Sequence, residues 1–208
     1  MEKDEKDWIV SYDCNDEMVT ESEVHDALVD YNRLYTYSDY IKWDDDKRRE
    51  LIDGVPYLMS MPVPVHQKIS VNLTLIFGNY LKGKPCELYH PLDVRLNADT
   101  IDNTVVQPDL IIVCDHSIVD NASIKGVPDM VVEILSPSTE RYDKTTKFNK
   151  YLESGVREYW IVDPKSKTLA VNVLDDSKYI TYAYNASDIV KVHVLEGCVI
   201  DLTEVFTY

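Results

Sequence analysis

The chain has 208 residues, of which 45% are hydrophobic and 28% are charged, as is typical of a globular domain with a buried core. No apolar run approaches the roughly 20 residues that a membrane-spanning helix needs, and the N-terminus is too charged for a signal peptide. We therefore expect a cytoplasmic protein without a membrane partner. The net charge of −16 argues against tight non-specific binding of nucleic acids, because Lys and Arg drive phosphate binding.

The N-terminal quarter is more acidic than the rest of the chain. We interpret residues 1–34 as an acidic extension and residues 35–208 as the main domain. Within the extension, Thr20 and Glu23 have the spacing of a capping box, and the apolar residues of 24–31 follow it as a short amphipathic helix.

A hairpin and a long helix are the clearest elements of the next part. Asp53-Gly54 supplies the positive φ angles of a tight turn between strands at 49–52 and 55–59. A short helix is expected from near Thr36. The apolar spacing of residues 66–81 predicts a longer helix, which ends before Gly83.

The remainder reads as strands and one more long helix. Strands are expected at 86–90, 93–96, 108–114, 130–135, 158–162, 168–174, 179–184 and 189–194. A helix is expected from about Arg141 to Ser154, and a terminal turn at 201–206. This order predicts a mixed α/β, or α+β, domain with one central sheet.

The cysteines give no metal or disulfide pattern. Cys14, Cys86, Cys114 and Cys198 are scattered and never form a CxxC pair. We therefore expect reduced thiols rather than a zinc site or a disulfide framework.

Glu133 is the residue that most needs an explanation, because it interrupts an apolar strand. Ionised carboxylates are rarely buried unless a metal, a base or hydrogen bonds compensate them. Asp109 stands 24 residues earlier, where Gln107-Pro108-Asp109 opens another apolar strand. The helix after Glu133 presents basic residues at spacings of three, namely Arg141, Lys144, Lys147 and Lys150.

Two carboxylates on neighbouring strands with a lysine nearby meet the needs of metal-assisted phosphodiester hydrolysis. Oxygen ligands hold Mg²⁺, and the metal acidifies a water and offsets the charge of the phosphate. We expect the compensator of Glu133 to be a metal shared with Asp109, or Lys147 when the metal is absent.

Ordinary structural interpretations of the same residues stay open. Asp109 follows a proline, as in many turns, and Lys147 lies four residues after Asp143, as in a common helical ion pair. Lys144 competes with Lys147 for the functional role, and the basic stripe as a whole could be a solvated helix face. His66 could line the site or be a surface or capping residue.

Several segments carry a resemblance to a known family. They are residues 50–54, 60–62, 66–67, 91–96, 106–110, 128–138 and 155–164, together with Asp143, Lys147 and Tyr151. In their order and spacing, these segments resemble the Uma-two family of restriction endonucleases, within the PD-(D/E)XK nuclease superfamily. The resemblance covers about residues 35–206. It implies a restriction-endonuclease-like fold, with a central mixed sheet flanked by helices and additional antiparallel strands.

The resemblance also implies roles for four charged residues. Asp109 would be the aspartate of the superfamily motif and Glu133 its second acidic residue. Leu135 stands where the superfamily usually has lysine, and Lys147 of the next helix matches the place of the migrated lysine. Glu50 would be a further acidic residue, contributed by an earlier element.

These roles imply a Mg²⁺-dependent endodeoxyribonuclease, with Mn²⁺ as a substitute metal. Asp109, Glu133 and the carbonyl of Ile134 would hold the metal, and Lys147 would act on the attacking water or the scissile phosphate. DNA would be the substrate, and a homodimer is expected by analogy with restriction enzymes.

Two other functions remain as alternatives. The first is a catalytically silent protein that keeps this fold and binds nucleic acid or a protein partner, which the acidity of the chain favours. The second is a glycosidase that uses Asp109 and Glu133 as its carboxylate pair, which leaves Lys147 without a role.

Overall fold

Residues 29–208 are described by a computed structural model. The predicted capping box at Thr20 and Glu23, and most of the helix expected at 24–31, lie outside this range. Residues 31–208 form one unit that contains two large sheets. None of the helices within residues 29–208 is long and apolar enough to cross a membrane.

The first sheet has five strands and begins with the predicted hairpin. Its strands are β1 (Arg49–Ile52), β2 (Val55–Leu58), β4 (Asp93–Arg95), β5 (Val105–Val106) and β7 (Ser123–Lys125), in the spatial order β2-β1-β5-β4-β7. Asp53 and Gly54 have φ angles of 51° and 83°, as the turn pattern predicts. Because β4 pairs with β7 in parallel and the other pairs are antiparallel, the sheet is mixed.

The second sheet has six strands and holds the larger core. Its strands are β3 (Glu87–Tyr89), β6 (Leu110–Val113), β8 (Met130–Ile134), β9 (Glu158–Asp163), β10 (Thr168–Asp175) and β11 (Lys178–Asn185), in the order β11-β10-β9-β8-β6-β3. β8 and β9 are parallel, and the other neighbours are antiparallel. Every residue of β8 is buried, which is expected of a central strand covered on both faces.

The long helix α2 (Pro64–Leu81) covers one face of this sheet. Its buried stripe includes Ile69, Leu73 and Phe77, and the Phe77 ring lies 5.7 Å from that of Trp160 on β9. Pro64 occupies the first turn, where its missing N–H leaves no helical hydrogen bond unmade. Two short helices lie near the ends of the described range, α1 (Tyr37–Tyr40) and α5 (Leu202–Val205).

A helical segment on the other face of the sheet has an unusual centre. It consists of α3 (Glu140–Tyr142), a π-helical turn (Asp143–Lys147) and α4 (Phe148–Ser154). Gly155 ends it with a φ of 87°, a conformation that favours glycine. π-turns are rare and recur at functional sites, and this one contains two buried charged residues.

The architecture confirms the predicted fold class and corrects three details. In place of one central sheet, the described part of the chain has two large mixed sheets and a small antiparallel pair, β12 (Ile189–Lys191) with β13 (Val199–Asp201). β5, β7 and β13 were not expected, because strands of two or three residues are too short to show a period. The expected strand at 189–194 ends at Lys191, because the chain turns back after Val192, whose N–H donates to the Cys198 carbonyl at 3.0 Å.

The prediction of reduced thiols is wrong for two cysteines. Cys86 and Cys114 form a disulfide, with Cα atoms 4.0 Å apart. β3 and β6 pair with Glu87 opposite Val113, so the next residues along, the two cysteines, face each other. Cys198 is buried and free, as expected, and Cys14 lies outside the described range.

Candidate active site

Asp109 and Glu133 come together because β6 and β8 are antiparallel neighbours. Leu110 pairs with Val132, so the next positions along the two strands are Asp109 and Glu133, with side chains on the same face. The Asp109 carboxylate accepts a hydrogen bond from the Ile134 backbone N–H at 2.8 Å. Glu133 is only 4% exposed, so its charge needs a compensating partner.

Lys147 is that partner in this structure. Its Nζ lies 2.9 Å from Glu133 Oε1, 2.9 Å from Glu50 Oε1 and 3.5 Å from Asp143 Oδ1. The expected pairing of Lys147 with Glu133 is therefore present, and so is the ordinary helical pair with Asp143. We call Glu50, Asp109, Glu133, Asp143 and Lys147 the charged cluster.

Glu50 brings the first sheet to the charged cluster. It lies on β1, is 1% exposed, and accepts a hydrogen bond from the Gln107 backbone N–H at 2.7 Å. Since Gln107 is two residues before Asp109, this bond also fixes the chain that leads into β6. The predicted neighbourhood of all four charged residues is thus found across two sheets and a helix.

Burial and charge shift the protonation of the charged cluster. Burial raises the pKa of Glu133 well above its ordinary value, and the Lys147 charge offsets only part of that effect. Burial likewise raises the pKa of Asp143. For Lys147, burial acts to lower the pKa, but Glu133, Glu50 and Asp143 together raise it well above its ordinary value. Lys147 is therefore a fixed cation near neutral pH and cannot accept a proton there.

Three residues of the site, Asp143, Tyr151 and His66, were not among the predicted catalytic and metal-binding residues. The Tyr151 hydroxyl donates to Glu133 Oε1 at 2.7 Å, and Asp143 is 2% exposed within the charged cluster. Asp143, Lys147 and Tyr151 are spaced by four, so they share a helix face, and this spacing was the available signal.

His66 is 7% exposed, with Nε2 3.1 Å from Asp109 Oδ2, and its side chain makes no cap. Its interpretation as a surface or capping residue is wrong.

The rest of the basic stripe lies outside the charged cluster. Lys144 is exposed and pairs with Glu140 at 2.6 Å. Lys150 pairs with Asp53 and Glu153, each at 2.8 Å. Of the two competing lysines, the structure places Lys147 and not Lys144 at the carboxylates.

A cleft of about 140 Å³ opens onto the site. Its lining includes His66, Asp109, Glu133 and Lys147 from the site itself, and Arg48, Ser60, His90, Ser136 and Thr139 around it. Two larger depressions, of about 520 and 540 Å³, contain none of the carboxylates of the charged cluster. We take the smaller cleft as the candidate active site, because the ionisable groups converge there.

The donor chemistry of the cleft suits a divalent cation. Four carboxyl groups share the buried site with one lysine, and burial together with their mutual repulsion raises the pKa of Glu133, a penalty that a divalent cation would reduce. His66 Nδ1 and Asp143 Oδ1 are buried without a hydrogen-bond partner. Within residues 29–208, no three His, Cys, Asp or Glu side chains already stand close enough together to hold a metal ion.

Comparisons with known proteins agree with the fold and the residue pattern. The fold is that of the restriction-endonuclease-like superfamily. Within it, the chain belongs to the Uma2 family, described as "Putative restriction endonuclease", whose model matches residues 37–203. The resemblance inferred from the sequence is thereby confirmed.

The chain is similar in sequence to one relative and in structure to one solved protein. The chain is 32% identical over 154 residues to the uncharacterized protein slr1290 of Synechocystis sp., which covers 72% of this chain and 80% of that protein. The crystal structure of a putative nuclease belonging to DUF820, from Anabaena variabilis, has a TM-score of 0.68 and 19% identity to this chain. It covers 83% of this chain and 97% of its own, and at that identity the likeness shows the fold alone.

Proposed function

We propose that the protein is a metal-dependent endonuclease that hydrolyses phosphodiester bonds of DNA. The observation that carries the proposal is that Asp109, Glu133 and Lys147 line one cleft and that Glu50 joins them through its contact with Lys147, although the sequence separates these residues widely. The family description and the nuclease named for the Anabaena structure support the same class of reaction.

The proposed metal site uses the carboxylates of the two paired strands. Asp109, Glu133 and the backbone carbonyl of Ile134 would hold Mg²⁺, with Mn²⁺ as a substitute, and Glu50 would complete the shell. A divalent ion bound there would acidify a water and offset the charge of the phosphate. The Ile134 N–H already holds one oxygen of Asp109, which fixes the orientation of that carboxylate.

Lys147 acts in this proposal as a cation and not as a base. Because its pKa is raised well above the ordinary lysine value, it keeps its proton throughout the neutral range. Its positive charge stabilises the extra negative charge of the phosphate in the transition state and orients the attacking water. Glu133 and Glu50 hold the ammonium group in place, and Tyr151 holds Glu133.

Other parts of the proposal rest on the family resemblance and, for the extension, on the acidity of its sequence. We assign the site to the PD-(D/E)XK pattern, with Lys147 in the role that Leu135 cannot fill. We propose residues 35–208 as the nuclease domain, residues 1–34 as an acidic extension, and a homodimer as the form that cuts both strands.

Plasmid cleavage tests the proposed function. Supercoiled plasmid is incubated with Mg²⁺ or Mn²⁺ and with wild type, Glu133→Gln or the matched control Glu153→Gln, which alters an exposed helix residue outside the cleft. We expect cleavage by wild type and the control, and a loss of about 10²–10³-fold in Glu133→Gln, the range for removing one transition-state contact. No cleavage by wild type, or equal cleavage by Glu133→Gln, would contradict the proposal.

One observation favours a catalytically silent protein instead. Glu133 is already satisfied by Lys147 and Tyr151, so this part of the site could be purely structural. Calorimetric titration with Mn²⁺ separates the two functions. The silent protein should show no saturable site, whereas the nuclease should show one that Asp109→Asn abolishes.

A further inference from the structure

We propose that His66 is a nitrogen ligand of the metal in this site, so that the site binds Mn²⁺ and Co²⁺ more tightly than Mg²⁺. The inference rests on the proposed nuclease function. It adds a nitrogen donor, the His66 imidazole, to the oxygen donors of the carboxylates. It assigns a role to a side chain that helix capping does not explain.

The position of His66 is set by the start of α2. It is the third residue of that helix, after Pro64 and Val65, and lies on the buried stripe that continues through Ile69 and Leu73. The helix thus begins beside the start of β6, where Asp109 stands. His66 is only 7% exposed and lines the cleft together with Asp109, Glu133 and Lys147.

The distance between His66 and Asp109 suits two ligands of one ion. His66 Nε2 lies 3.1 Å from Asp109 Oδ2. Adjacent ligands of an octahedral ion with bonds of about 2.1–2.2 Å lie about 3.0–3.1 Å apart. When the imidazole carries its proton on Nδ1, Nε2 and the carboxylate oxygen face each other as two lone-pair donors, and a cation stabilises that arrangement.

The other ring nitrogen leaves Nε2 available as a lone-pair donor, because no protein group accepts a proton from Nδ1 or donates one to it. Nδ1 is buried and has no hydrogen-bond partner. A buried polar atom without a partner costs about 1–3 kcal/mol, so a gain elsewhere must offset it. In this structure only the contact of Nε2 with Asp109 supplies that gain, and a metal bond at Nε2 would supply it as well.

The donor set then selects the class of metal. Mg²⁺ prefers oxygen ligands throughout, whereas imidazole favours first-row transition ions. A site with carboxylate oxygens and one imidazole nitrogen therefore binds Mn²⁺ or Co²⁺ with a contribution that Mg²⁺ does not gain. Loss of the imidazole should weaken Mn²⁺ and Co²⁺ binding more than Mg²⁺ binding.

His90 provides a matched control. It lines the same cleft, but its Nε2 already bonds to the Thr74 hydroxyl on α2. A histidine that merely lies near the ion should leave metal binding unchanged when it is replaced. His66→Gln and His90→Gln are therefore compared under identical conditions.

The test is pulsed electron paramagnetic resonance of bound Mn²⁺, with affinities from calorimetry. We expect a ¹⁴N coupling in wild type and in His90→Gln that is lost in His66→Gln. The Mn²⁺ affinity of His66→Gln should fall by about 10-fold or more, by comparison with the 10–100-fold loss when a supporting partner of a ligand is removed, and its Mg²⁺ affinity should fall less. Wild type labelled with ¹⁵N-histidine should show ¹⁵N coupling in place of ¹⁴N, which tests the ligand even if His66→Gln does not fold.

Two results would overturn the inference. Bound Mn²⁺ without nitrogen coupling in wild type would make His66 a residue that donates Nε2–H to Asp109. Coupling that persists in His66→Gln would assign the nitrogen to another residue. In both cases plasmid cleavage by wild type would leave the nuclease proposal standing, whereas the absence of any Mn²⁺ site would remove both.

Discussion

Lys147 carries a single positive charge on which three buried carboxylates depend. Glu50, Glu133 and Asp143 all lie within 3.5 Å of its Nζ, and each is at most 4% exposed. Buried ions of this kind do not by themselves indicate high stability, because desolvation opposes their attraction. Removing one partner does destabilise the fold, because it leaves the remaining charges buried and uncompensated.

We predict that Lys147→Met lowers the free energy of unfolding by about 3–5 kcal/mol, the usual effect of breaking a buried ion pair from one side. Urea unfolding followed by circular dichroism measures it. The double variant Lys147→Met/Glu133→Gln should lose less than the sum of the two single variants, because it removes charges of both signs. Additive losses would show that the two side chains do not interact.

For individual residues, the sequence predicts which side chains lie close together more reliably than it predicts how deeply each is buried. Glu133 is identified because a carboxylate in an apolar strand requires a partner, and Lys147 is that partner. His66 carries no such signal, since a histidine after two prolines looks like a surface residue. Asp143 shows only its four-residue spacing from Lys147, which an exposed helical ion pair would share. Their burial follows from the packing of α2 and of the π-helical turn.

The length of a helix or strand decides whether it can be predicted from its hydrophobic period in the sequence. The 18 residues of α2 and the eight of β10 show their periods clearly, whereas β5 has two residues and no period to show. The π-turn likewise leaves no mark in the sequence, because Asp143–Lys147 contains neither a proline nor a glycine and its residue types also occur in regular α-helices. The Asp53-Gly54 hairpin is the exception among short features, since its turn chemistry is local.

The disulfide was missed because its two cysteines are 28 residues apart and only the strand register aligns them. We predict that the double variant Cys86→Ser/Cys114→Ser unfolds with a free energy about 3–4 kcal/mol lower than oxidised wild type, from the entropy of closing a loop of this length. Equilibrium unfolding in urea measures the change. A reductant should lower the stability of wild type to that of the variant without affecting the variant, and equal effects on both would contradict the pairing.

For the molecule as a whole, the net charge of −16 limits how DNA can be held. We predict that affinity for duplex DNA in EDTA falls only about 10–40-fold between 50 and 200 mM salt, as for about two or three phosphate contacts. Fluorescence anisotropy measures the slope. A fall of 10³-fold or more would reveal a basic surface that the described residues do not lead us to expect.

The span of the charged cluster across both sheets has a consequence for biosynthesis. Glu50 leaves the ribosome about 100 residues before Lys147, and β9, which pairs with the strand of Glu133, follows later still. A chain that ends before Lys147 therefore cannot assemble the charged cluster. If the proposed function holds, nascent copies cannot cut DNA until Lys147 and β9 have been synthesised and have folded onto β1 and β8.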